Sequence, residues 1–110
     1  MTFSLRQKIL AEFIGTYFLV LTVVGSGIMG ELMSNDLGII LLGNTIATGA
    51  ILYVIISMFI NISGAYFNPV VVLSDIIQKN IPFNYGIIFI FTQIIGALIA
   101  TIIVRLFFKN

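Results

Sequence analysis

The 110-residue chain has no cysteine, no histidine and very few charged residues. The absence of cysteine excludes disulfides and thiolate chemistry, and the absence of both residues excludes most metal sites and nucleophilic triads. Charged residues make up 8% of the chain, against about 25% in soluble domains. The net charge of +1 does not suggest a nucleic-acid partner. We therefore expect no enzyme and no cofactor, and we expect lipid to be the solvent for most of the surface.

Apolar residues make up 60% of the chain. Three apolar runs, at about residues 9–29, 39–60 and 85–108, each reach the roughly 20 residues that a membrane-spanning helix needs. The first run follows Arg6 and Lys8, as the apolar region of a signal peptide would. It is too long for that, however, and no cleavage site of the A-x-A type follows it. The sequence therefore predicts three membrane-spanning helices.

The positions of lysine and arginine predict the orientation of these helices. Arg6 and Lys8 place the N-terminus inside, and Lys79 then also lies inside, whereas Arg105 and Lys109 lie outside. Three basic residues inside against two outside give a weak bias, so the opposite orientation stays open. We expect an integral membrane protein with its N-terminus inside.

The polar segment 61–79, NISGAYFNPVVVLSDIIQK, separates the second and third apolar runs. Asn68 suits the N-cap of a helix, and Pro69 suits the first helical position, where a missing N–H is harmless. A helix from Pro69 to about Lys79 would be ~16 Å long, about half of a ~30 Å hydrocarbon core. The segment thus predicts a re-entrant loop and a half-helix. The alternative is a polar interfacial loop before an amphipathic surface helix.

Three stretches of the chain resemble signatures of the aquaporin and glycerol-facilitator family. They are AEFIGTYFLV at 11–20, ISGAYFNPVV at 62–71 and TQIIGALIA at 92–100. Their order and spacing agree with the family, and the resemblance covers nearly the whole chain. Segment 23–51 is also similar to a bacterial aquaglyceroporin-like subgroup, some of whose members accompany arsenic-resistance genes. This resemblance implies a location in a bacterial inner membrane.

The resemblance implies an all-α membrane protein in which residues 1–110 form one of two inverted repeats. Such a repeat has three transmembrane helices and one re-entrant half-helix. The second repeat, with its own Asn-Pro box and filter arginine, is not in this sequence. The chain would then be a truncated or split reading frame, a fragment, or a half-channel completed by another chain or by an inverted copy. The family analogy adds a tetramer of complete channels in the lipid bilayer.

The resemblance also implies roles for individual residues. Asn68 would cap the half-helix and donate its amide to a solute, Glu12 would accept backbone N–H groups of the loop, and Gln93 would support the third helix. Thr48 stands where a large aromatic residue narrows the pore, which implies a wider pore unless the missing half sets the width. The residues expected at the pore are Asn68, Pro69, Val70, Gly64, Ala65, Tyr66 and Thr48, with Glu12 and Gln93 as structural support.

Two residues depart from the family's pattern. Val70 replaces the alanine at which the two Asn-Pro boxes pack, and added methyl groups in a tight contact typically cost about 1–3 kcal/mol unless the partner is trimmed. Tyr66 replaces a histidine, which is a mild change if only the backbone carbonyl of this residue serves the pore.

The function implied by the resemblance is a passive channel for water or small uncharged solutes, such as glycerol or a metalloid hydroxide like arsenite. Two alternatives stay open. One is a non-conducting fragment of a channel, and the other is a small proton-coupled multidrug exporter that would use Glu12. Such exporters have four full spans and no Asn-Pro box, and this sequence offers three spans and a half-helix.

Overall fold

The computed structural model describes residues 2–109. Residues 2–109 form four helices: α1 (Leu5–Met33), α2 (Leu37–Phe59), α3 (Pro69–Ile77) and α4 (Phe83–Phe107). Residues 2–109 contain no strand, and the all-α fold class that the sequence predicts is confirmed. The predicted unit of 1–110 extends beyond the described residues by one residue at each end.

Local capping sets where the first two helices begin. Ser4 and Gln7 form a capping box, in which each side chain accepts a hydrogen bond from the backbone N–H of the other. Asp36 caps α2, because its Oδ1 atom accepts from the N–H groups of Gly38 and Ile39. Both helices therefore begin before the apolar runs at 9–29 and 39–60.

Helices α1, α2 and α4 have 29, 23 and 25 residues and are long and apolar enough to cross a membrane. Many of their large apolar side chains are exposed. The buried residues, by contrast, include the polar Glu12, Thr16, Ser63 and Gln93. A protein surrounded by water buries the opposite kinds of residue, so this distribution fits a surface in contact with lipid and an integral membrane protein.

Small residues set how the helices pack. Helix α1 packs against both α2 and α4, and α3 packs against α4. At the α1–α4 contact, a Cβ atom on Gly96 would lie 3.2 Å from the carbonyl oxygen of Phe13. At the α3–α4 contact, the side chain of Ile76 occupies the space that a Cβ atom on Gly86 would need. Glycine lets helices approach closely where hydrophobic driving force is absent, as in lipid.

The half-helix α3 ends at Ile77, two residues before the predicted end at about Lys79. The N–H of Lys79 donates to the carbonyl of Ile76 at 3.1 Å, and the N–H of Asn80 donates to that of Asp75 at 2.9 Å. With Lys79 in the left-handed region at φ 62°, these bonds form a Schellman motif, which terminates a helix. Nine residues give a length of ~14 Å, about half of a ~30 Å hydrocarbon core.

Candidate functional site

The non-helical segment before α3 enters the helix bundle. The ring of Phe67 packs on Gly15 so closely that a Cβ atom at Gly15 would not fit. Gly15 lies ~15 Å along α1 from Leu5 at 1.5 Å per residue. On the other side, the rings of Phe67 and Phe59 meet edge to face at 6.1 Å. The segment therefore lies within the bundle, as a re-entrant loop does, and not across its end.

Glu12 joins α1, the loop and α4. It is 0% exposed. Its Oε2 atom accepts from Ser63 Oγ at 2.5 Å and from the N–H of Tyr66 at 3.1 Å. Its Oε1 atom accepts from the N–H of Phe67 at 2.9 Å and from Gln93 Nε2 at 2.8 Å. Four donors compensate the burial of this carboxylate.

No group of three potential ligand side chains that could hold a metal ion occurs within residues 2–109.

The loop backbone is strained on both sides of Tyr66, whose N–H group bonds to Glu12. Gly64, Ala65 and Phe67 have φ angles of 95°, 54° and 53°. Left-handed conformations of residues other than glycine cost about 1–3 kcal/mol each and persist only where the surroundings fix them. Successive N–H groups in such turns converge on an anion. Here the N–H groups of Tyr66 and Phe67 converge on the Glu12 carboxylate, which stabilises the strained loop.

A cavity of about 580 Å³, the central groove, lies between α1, α2, α4 and the loop. Several of the predicted site residues line it together: Thr48, Ala65, Tyr66, Asn68, Pro69 and Gln93. Gly64, Val70 and Glu12 are not part of its lining. Val70 is 71% exposed, so its contact with a second half stays a prediction, as does a pore role for Gly64.

Glu12 also determines where two loop carbonyls point. In a trans peptide the N–H and the C=O point in opposite directions, and no cis peptide occurs among residues 2–109. The N–H groups of Tyr66 and Phe67 point at Glu12. The carbonyls in the same two peptides, those of Ala65 and Tyr66, therefore point away from Glu12. Both residues line the central groove, so these two carbonyls are the acceptors that the loop can offer to a molecule there.

Asn68 stands at the N-terminus of α3 and lines the central groove. Its Oδ1 atom accepts from the N–H of Val70 at 2.8 Å and caps the helix. The Nδ2 atom is then the end of the amide that remains to donate to another molecule. The N-terminus of a helix carries roughly +0.5 elementary charge. This part of the groove can donate a hydrogen bond, and it repels cations.

Thr48 forms a small and nearly apolar part of the groove wall. Its hydroxyl donates to the carbonyl of Asn44 at 2.8 Å, so its proton is already used within α2. Asn44 in turn donates to the carbonyl of Val23 at 2.8 Å and to Ser26 Oγ at 3.0 Å, which ties α2 to α1 beside the groove. Thr48 can therefore accept a hydrogen bond from a molecule in the groove, but it has no free proton to donate.

The structure adds two residues that sequence reasoning missed. Ser63 donates to Glu12 and accepts from the N–H of Ala65 at 3.2 Å. The sequence held one signal for this role: Ser63 stands just before the loop glycine, and the first apolar run contains a single acid, Glu12. Thr16 follows Glu12 by four residues and is 3% exposed. Residues at that spacing lie on one face of a helix, and Thr16 also lines the central groove.

Comparison with known proteins identifies the relatives of this chain. The family model described as major intrinsic protein matches residues 1–110. An aquaglyceroporin, AqpS of Rhizobium meliloti (strain 1021), is 39% identical over 106 residues, which are 96% of this chain and 46% of the relative. The putative aquaporin NIP4-1 of Arabidopsis thaliana is 36% identical over 105 residues, which are 96% of this chain and 36% of that relative.

A third relative, a probable TIP-type aquaporin of Medicago truncatula, is 36% identical over 95 residues, which are 84% of this chain and 38% of the relative. The chain thus spans between about a third and a half of the length of the curated relatives it matches. The resemblance predicted from the three signature stretches is confirmed.

Proposed function

We propose a function from one premise: the chain belongs to the major intrinsic protein family. We infer that it is one half of a passive transmembrane channel for small uncharged solutes. The solutes are water and small hydroxylated molecules, such as glycerol or a metalloid hydroxide. A second half, either another chain or an inverted copy, completes the pore. The printed names of the relatives, aquaporin and aquaglyceroporin, support this proposal.

The observation that carries the proposal is the pairing of donor and acceptors at the start of α3. Asn68 uses its Oδ1 atom as the helix cap and keeps its Nδ2 atom for a solute oxygen. The carbonyls of Ala65 and Tyr66, which point away from Glu12, accept from solute hydroxyls. A neutral molecule with O–H groups satisfies both kinds of partner. A cation meets the positive end of the half-helix and loses its hydration without full compensation.

The need for a second half follows from what α3 leaves uncovered. Val70 is 71% exposed, and Leu73 and Ile77 beside it are also exposed. The loop carbonyls at Ala65 and Tyr66 would face hydrocarbon, where each unpaired polar group costs several kcal/mol. A second half that packs on α3 covers both the exposed apolar side chains and the loop carbonyls. The proposal places Val70 at that contact, keeps the backbone carbonyl of Gly64 at the pore and places the small Thr48 where the pore admits solutes wider than water.

The proposed setting is a bacterial inner membrane with the N-terminus in the cytoplasm. The basic residues Arg6 and Lys8 near the start of α1 support this orientation. Loop 61–68 and α3 would then enter and leave on the cytoplasmic side. Assembly of complete channels into a tetramer is part of the proposal by family analogy.

The experiment is solute flux into vesicles that contain this chain together with the remaining half of the R. meliloti relative. Stopped-flow light scattering measures water and glycerol entry, and a potassium gradient serves as the negative control. Asn68→Asp keeps a cap for α3 but removes the amide donor, whereas Asn68→Ala removes both. We expect glycerol entry to fall about fivefold in both variants, the factor that about 1 kcal/mol corresponds to.

We expect only Asn68→Ala to lose stability, by about 1 kcal/mol. If both variants conduct as fast as the unmodified chain, Asn68 does not serve a solute. If the unmodified assembly conducts no better than empty vesicles, the chain is a non-conducting fragment. Conduction of potassium would contradict the proposed selectivity for uncharged solutes.

A further inference from the structure

Two polar atoms in the wall of the central groove are buried without a hydrogen-bond partner. They are the hydroxyl oxygen of Thr16 and the carbonyl oxygen of the Gln93 side chain. Thr16 is 3% exposed and Gln93 is 1% exposed. Buried polar atoms are nearly always paired, and an unpaired one is destabilising. Two such atoms that line the same cavity indicate a partner that the protein itself does not supply.

Glu12 fixes the direction of the Gln93 carbonyl. The Nε2 atom of Gln93 donates to Glu12 Oε1 at 2.8 Å. A carboxylate accepts and cannot donate, so the amide presents its nitrogen to Glu12. The carbonyl oxygen at the other end of the same planar amide must then face away from Glu12. It is a fixed acceptor whose direction depends on the loop-holding carboxylate.

The Thr16 hydroxyl does not bond to its own helix as three other threonines of this chain do. Thr48, Thr92 and Thr101 donate to the carbonyl four residues earlier at 2.8, 2.8 and 2.9 Å. Thr16 makes no such bond. Thr16 lies one turn after Glu12 on the same face of α1 and lines the same groove as Gln93. A threonine in a helix is divided between two χ1 rotamers, so a change of rotamer can redirect the hydroxyl.

We propose that Thr16 and Gln93 form a binding subsite for one hydroxyl group, carried by a polyol or by water. The hydroxyl donates to the Gln93 carbonyl and accepts from the Thr16 hydroxyl. The subsite lies in the same groove as Asn68 and the loop carbonyls, and it rests on the proposed function.

The test uses Thr16→Val, which replaces the hydroxyl by a methyl at nearly constant volume, and Thr16→Ser, which keeps the hydroxyl. Thr101→Val is the matched control, because the hydroxyl of Thr101 bonds within α4. All are measured in the two-half assembly with water and glycerol as probes. We expect Thr16→Val to slow glycerol about fivefold, and Thr16→Ser and Thr101→Val to stay within about twofold of the unmodified assembly.

The water flux distinguishes the two sources of the hydroxyl. If glycerol entry slows and water entry does not, the subsite binds the solute. If both rates fall equally, the subsite holds a water molecule on the path. Either result supports the subsite. Equal rates in Thr16→Val and Thr101→Val overturn it, and so does an equal loss in Thr16→Val and Thr16→Ser, because the methyl packing would then be responsible.

Thermal unfolding of the same variants decides the matter even if no solute flux is found. An unpaired buried hydroxyl destabilises, so its removal in Thr16→Val would raise Tm. A hydroxyl that binds water stabilises, and its removal lowers Tm or prevents folding, while Thr16→Ser folds. We expect Thr16→Val to have a lower Tm than both Thr16→Ser and Thr101→Val, and a Tm at or above that of Thr101→Val overturns the inference. Absent flux in the unmodified assembly would end the proposed function but leave this comparison valid.

Discussion

The substitution Glu12→Gln tests whether one buried carboxylate holds the re-entrant loop. The glutamine carbonyl can replace Oε1 and still accept from the N–H of Phe67 and from Gln93 Nε2. The new amide nitrogen then replaces Oε2, which accepts from Ser63 and from the N–H of Tyr66. The Ser63 hydroxyl can rotate and accept from the amide. The N–H of Tyr66 cannot, because it is itself a donor.

The expected loss of stability follows from these contacts. An unpaired buried N–H costs about 1–3 kcal/mol, and the two retained bonds fall from the 1.5–3 kcal/mol of a charged partner to about 1 kcal/mol. Together these terms give a loss of roughly 2–7 kcal/mol, a large part of the ~5–15 kcal/mol that stabilises a typical protein. The peptide between Ala65 and Tyr66 then loses its bond to residue 12, and the bond at Phe67 weakens. Because Ala65 and Phe67 hold positive φ angles, the loop should open before the long helices separate.

Two measurements check this expectation. Equilibrium unfolding in mixed micelles gives the loss of free energy, and Glu31→Gln is the control, because Glu31 is an exposed acid on the same helix. The chain has no cysteine, so a single Ala65→Cys reports loop opening through its rate of reaction with a maleimide. An ordinary surface substitution changes the free energy of unfolding by up to about 0.5 kcal/mol. If the unfolding free energies of Glu12→Gln and Glu31→Gln differ by no more than that, the reasoning is refuted.

Packing and topology give two further predictions. Gly15→Ala should destabilise the chain by more than about 3 kcal/mol, because the ring of Phe67 occupies the space of the new methyl. The control Gly43→Ala, whose Cβ meets no atom within 4 Å, should be neutral or stabilise by up to about 1 kcal/mol. Equal unfolding curves for the two variants would contradict the close contact between Gly15 and Phe67. Single cysteines at Ser34 and Asn80 should react with an impermeant reagent from opposite sides of the membrane, and reaction of both from one side would exclude the three-span topology.

Much of the secondary structure was predictable because it depends on residues close together in sequence. The spans follow from three apolar runs, and the N-cap of α3 follows from the adjacent Asn68 and Pro69. The ends of helices were less predictable. The early start of α1 depends on the capping box of Ser4 and Gln7, and α3 ends at Ile77 because Lys79 adopts a left-handed conformation that lysine rarely adopts.

The sequence by itself determined that the chain is a helical membrane protein, because apolar runs of this length leave the backbone no alternative in hydrocarbon but to form helices. It also named the side chains that meet at the loop, Asn68, Glu12 and Gln93, through resemblance to a family. Only the tertiary structure decided how they meet. Glu12 binds Ser63, 51 residues away, and Gln93, 81 residues away, and no local pattern encodes bonds over such separations. The unpaired oxygen of Gln93 and the unpaired hydroxyl of Thr16 are likewise consequences of packing. Tertiary contacts decide which donors and acceptors form hydrogen bonds, and therefore which atoms remain unpaired.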